Sequence, residues 1–158
     1  MRADNVTTKI SSVLVGELGT GEQLFLWALR QRLADQGETT PCLVRGFLLA
    51  CGLAGVETTL GSFERLFDLL GACARCELGV CPLRCACLSR DEATCLALLA
   101  AAQRDDQERG TCLATALVGA EKAGELCREA RRLAEALARA GHILTDPPAA
   151  GRQGQAVH

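Results

Sequence analysis

The sequence predicts an all-α protein: a single-domain irregular bundle of about six helices, with a cysteine-rich crossover loop between the third and fourth. Three observations carry this. Ala, Leu, Gly and Cys dominate the apolar content, and the 158 residues include no Tyr, one Trp and four Phe; Ala and Leu lose little entropy in a helix. Apolar positions recur at three- and four-residue spacing. Helix start and stop signals bracket those runs. A chain of this length buries roughly 68–70% of its unfolded surface, so one core suffices without cross-links.

Residues 1–9 are polar and are expected to be flexible. Ile10 to Val15 is partly apolar and fits a strand or a packed extended arm; with no partner strand evident, the arm is favoured. Thr20-Gly21-Glu22-Gln23 fits a capping box and opens the first helix. Its apolar face carries Leu26, Leu29 and Leu33, widened by Phe25 and Trp27, and Gly37 stops it. Thr40-Pro41 opens the second helix, CLVRGFLLAC, which stops near Gly52. The third carries Leu60, Phe63, Leu66, Phe67 and Leu70 and ends at Gly71.

Ser89-Arg90-Asp91-Glu92 is the best helix start in the chain. Ser89 caps, Glu92 reaches back, and two acids suit the positive end of the helix dipole. That helix runs to about Arg104, and a shorter one spans about Thr111 to Val118. The last, about Glu121 to Ala140, buries Ala123, Leu126, Ala130, Leu133 and Leu137 and turns Glu and Arg outward. The folded domain is thus 10–144, its cysteine-rich loop 73–88, and its Pro/Gly-rich tail 145–158 is expected to be disordered.

Net charge is −2, with Arg interleaved among acids. No basic stripe is available for phosphates and no aromatic platform for bases, which argues against nucleic acid. The opening residues lack a secretory pattern, and no window is expected to cross a membrane. The expected compartment is the cytosol, where thiols stay reduced. Gly16 to Gly21 has the frame of a phosphate-binding loop, but Glu22 and Gln23 stand where Lys and Ser or Thr belong. Only two His exist, and His142 falls at an expected solvated helix end. Asp91-Glu92 and Asp105-Asp106 read as caps, so the reading leans away from an enzyme.

Six of the ten cysteines fall between Cys73 and Cys95, spaced C-x2-C-x4-C-x3-C-x-C-x7-C. Cys42, Cys51, Cys112 and Cys127 sit inside apolar helical patterns and are expected in the core, as is Cys95 more weakly. The expected metal ligands are Cys73, Cys76, Cys81, Cys85 and Cys87. A C-x2-C turn supplies half a tetrahedral site, and without a nearby His the rest must be thiolate, holding zinc or an iron–sulfur cluster. Such a centre would be structural or sensory and act through a protein partner. Two alternatives remain. One is a metal-free helical interaction module that self-associates through surplus apolar faces such as LFLWAL and RGFLLAC. The other is a thiol redox switch using Cys73 and Cys76.

Overall fold

Helices dominate the computed structural model, which describes residues 2–3, 10–73 and 77–147. They are α1 (Thr20–Ala34), α2 (Pro41–Cys73), α3 (Arg90–Gln103), α4 (Gln107–Val118) and α5 (Ala120–Arg139). The expected second and third helices run together as α2, which makes five. Gly52 still breaks that helix with φ 73°, a backbone conformation glycine adopts without a Cβ penalty.

The described residues also form four short strands, β1 (Arg2–Ala3), β2 (Ile10–Leu14), β3 (Gly79–Val80) and β4 (Cys87–Ser89). The arm reading of Ile10 to Val15 is therefore corrected. Its partner lies inside the cysteine segment, where β2 pairs antiparallel with β4, Ile10 opposite Ser89 and Leu14 opposite Cys87, across an irregularity in register. Inside the segment expected to be flexible, Arg2–Ala3 pairs parallel with Gly79–Val80; residues 4–9 lie outside those described.

The core forms where α5 packs on α2, α3 and α4, with α1 against α2. Ala123, Leu126, Ala130, Leu133 and Leu137 of α5 are all buried, as their spacing predicts. Phe63 is the centre of an aromatic cluster, its ring centroid 6.1 Å from Phe25, 5.4 Å from Phe47 and 6.1 Å from Phe67. Arg32 lies 4.8 Å over the Phe67 ring and pairs with Glu64 at 2.9 Å.

Several boundaries differ from expectation. Gly19, not Thr20, caps α1, and the Gln23 side chain donates to the Leu18 carbonyl at 2.8 Å. The Thr20 hydroxyl instead meets His142 Nδ1 at 3.4 Å. His142 is not a solvated end: it is half-buried, with Nε2 2.9 Å from the Ala50 carbonyl. The expected disordered tail is tied down at its start. Glu22 accepts from the Thr145 amide at 2.7 Å, and Arg104 pairs with Asp146 at 2.9 Å. Residues 148–158 lie outside those described.

By length and composition alone α2 is apolar enough to cross a membrane, and 17% of its most apolar 18-residue window is buried. Leu49 is 81% exposed and Leu53 is 86% exposed.

Gly46 of α2 lies beneath the Trp27 ring, whose far edge would collide with any Cβ placed there. Gly46→Ala gains about 0.5–1 kcal/mol of helix propensity but forces a rigid ring to move, at about 1–3 kcal/mol. The expected net result is destabilisation with a shifted emission from Trp27, the sole tryptophan. Unchanged melting and unchanged fluorescence would contradict this packing.

Candidate thiol site in the cysteine crossover

The capping box at the start of α3 forms as its sequence predicts. The Ser89 hydroxyl accepts from the Glu92 amide at 3.0 Å, and Glu92 Oε2 accepts from the Ser89 amide at 2.8 Å. What its spacing does not reveal is the carboxylate's second partner. Arg30 of α1, 62 residues earlier, donates to Glu92 through Nε at 2.7 Å and Nη2 at 2.9 Å. Both side chains are almost wholly buried, at 3% and 0% exposure.

The crossover backbone hangs on this pair. Arg30 Nη1 donates to the Cys85 carbonyl and Nη2 to the Cys87 carbonyl, each at 2.8 Å. Glu92 Oε1 also accepts from the Cys81 amide at 3.1 Å. Gly79 is held from both sides: its amide donates to Asp91 at 2.7 Å, and its carbonyl accepts from Ser89 at 2.6 Å. A turn in which the Cys85 amide bonds the Pro82 carbonyl at 3.0 Å then folds Cys85 back toward Cys81.

The turn sets Cys85 close enough for its thiol to act electrostatically on that of Cys81. Cys81 is buried and Cys85 half-buried. Burial, then the charges of Glu92 and Cys85, push the Cys81 thiol up to about 12, against the opposing pull of Arg30. For Arg30, burial disfavours the charge, but the hydrogen bond and charge of Glu92 outweigh it and hold the guanidinium pKa above its ordinary value.

Of the other expected ligands, Cys73 and Cys87 are among the described residues. Cys73, at the end of α2, lies in the electrostatic field of Lys122 on α5. Cys87 lies opposite Leu14 in the β2–β4 pairing. Cys76 is outside the described residues. Among the described residues no three His, Cys, Asp or Glu side chains converge as a metal would require, and the nine described cysteines are free thiols.

The expected core cysteines also divide. Cys95 is buried, and desolvation first, then Asp91 and Glu92, pushes its thiol up to about 12. Cys51 and Cys127 are half-buried against the core, with burial raising both thiols. Cys42 and Cys112 are exposed, contrary to expectation. Helical spacing alone does not say which apolar residue faces a neighbouring helix.

Three surface cavities of about 240, 290 and 250 Å³ fall below the roughly 300–1,000 Å³ usual for small-molecule sites. No family model, characterised protein or solved structure matches the chain.

Two outcomes follow from the buried pair and the raised thiols. Glu92→Ala strands the Arg30 charge and uncaps α3, so a loss of about 3–5 kcal/mol is expected in urea unfolding; a loss below about 1 kcal/mol would contradict the pair's central place. Cys81 and Cys95 bind protons more tightly when folded, with pKa about 12 against 9.0. Their contribution to stability is complete below pH 9 and lost as pH rises from 9 toward 12, by up to about 1.4 kcal/mol per pH unit for each thiol. Cys95→Val is expected to flatten that alkaline loss; an unchanged slope would sink the assignment.

Proposed function

We propose that this protein is a helical interaction module that works by associating with a second copy of itself. One observation carries the reading: Leu49 and Leu53, 81% and 86% exposed, stand on either side of the Gly52 break in an apolar helix. Exposed leucines scattered singly are ordinary, but two on one apolar segment form the kind of surface that association covers. A two-fold arrangement would set this ridge against its own copy. The small cavities fit a protein that acts through a surface, and the reading keeps the cytosol expected from the lack of a secretory pattern.

Light scattering across a concentration series tests it. The expected mass exceeds that of one chain at high concentration and falls to one chain in Leu49→Glu/Leu53→Glu, with melting unchanged. Strict monomer behaviour of the unsubstituted protein at high concentration would overturn it.

A second reading, a cysteine-ligated centre holding zinc or an iron–sulfur cluster, is favoured by the crossover turn that carries Cys81 and Cys85 three residues apart. Two thiolates are half of a tetrahedral set, and Cys73, Cys76 and Cys87 are the sequence-local candidates for the rest. Metal analysis of protein purified without air decides it. Stoichiometric zinc or iron supports the centre; neither metal, with no visible-range absorbance, removes it.

A further inference from the structure

The exposed ridge of α2 carries a charge pattern that fixes how two copies can meet. We infer that the ridge pairs antiparallel about a two-fold axis level with Cys51, with Leu49 of each copy against Leu53 of the other and Arg45 against Glu57. The inference rests on the self-association reading and adds to it an orientation and the residues that select the partner.

The symmetry lies in the spacing. Leu49 and Leu53 stand two residues either side of Cys51, and Arg45 and Glu57 stand six. All four side chains are exposed. Within each half of α2 the charge lies four residues from the leucine, so the two share a face: Arg45 with Leu49 before the Gly52 break, Leu53 with Glu57 after it. A two-fold contact is self-complementary, so whatever one residue meets, its counterpart meets in return. An axis level with Cys51 reverses the chain direction and lays each half of α2 along the opposite half of the copy. It needs no straight helix, because the break falls beside the axis in both copies.

Charge selects this arrangement over its alternative. In the antiparallel pairing, Arg45 of each copy meets Glu57 of the other, and two ion pairs flank the four leucines. In a parallel pairing, Arg45 would meet Arg45 and Glu57 would meet Glu57, two like-charge contacts that disfavour it. Both side chains are available: among the described residues, neither Arg45 nor Glu57 has a hydrogen-bond or ion-pair partner. A lipid surface is the other occupant that the apolar composition of α2 suits. It gives no reason for opposite charges at equal distance from one point.

Sedimentation equilibrium of the full chain tests the pairing, with circular dichroism to check that each variant is folded. Arg45→Glu and Glu57→Arg each turn both ion pairs into repulsions, so each variant is expected to associate at least about tenfold more weakly than the unsubstituted protein. Arg45→Glu/Glu57→Arg exchanges the signs and recovers the association. An equimolar mixture of the two single variants also recovers it, since one copy then carries two acids and the other two bases. Mixing could not rescue a misfolded variant. Single variants that associate as tightly as the unsubstituted protein would overturn the orientation and leave self-association standing. So would a double variant and a mixture that both stay apart. An unsubstituted protein that is monomeric at high concentration overturns both readings, and its co-flotation with phosphatidylcholine vesicles would then give the ridge to a lipid surface.

Discussion

A single buried carboxylate, Glu92, accepts four hydrogen bonds: two from Arg30, one from the Cys81 amide and one from the Ser89 amide. Taking both charges out of water costs several kcal/mol per ion, and that cost is offset only when geometry and additional hydrogen bonds are good. Both conditions hold here. The guanidinium presents its fork to the carboxylate and donates two further hydrogen bonds to backbone carbonyls. The pair therefore joins α1 to the start of α3 and suspends the crossover between them.

That suspension explains how a segment with so little regular structure keeps one shape. β3 and β4 are two and three residues long, too short to hold themselves. Buried backbone groups must nevertheless be paired. Arg30, Ser89, Asp91 and Glu92 supply those partners with side chains in place of a sheet. The cysteine side chains take little part in this support, since the hydrogen bonds run through the Cys81, Cys85 and Cys87 backbones.

Much of the fold was legible because local signals reported it. The Ser89–Glu92 box, the apolar stripe of α5 and the glycine at position 52 each act within one or two helical turns, where residue spacing translates directly into geometry. The misreadings are non-local. Glu92 was read correctly as a cap, yet nothing in the spacing reveals that Arg30 shares it. β2 was assigned no partner because its partner, Cys87–Ser89, lies in a segment whose cysteines dominate its reading. Cys42 and Cys112 match buried helical positions by pattern, yet they face solvent, since tertiary packing decides which side of a helix is covered. Of the five expected ligands, Cys81 and Cys85 flank one turn, Cys73 ends α2 and Cys87 opens β4.

Suspension by the Arg30–Glu92 pair makes a direct demand on backbone dynamics. The Cys81 and Ser89 amides donate to the Glu92 carboxylate, so they open only when that carboxylate is released. Native-state hydrogen exchange, read amide by amide, measures this release. The expected result is that Cys81 and Ser89 are protected to the same degree as the interior of α3, as members of one cooperative unit. If both exchange as freely as an exposed loop while α3 stays protected, the crossover is not held by the pair.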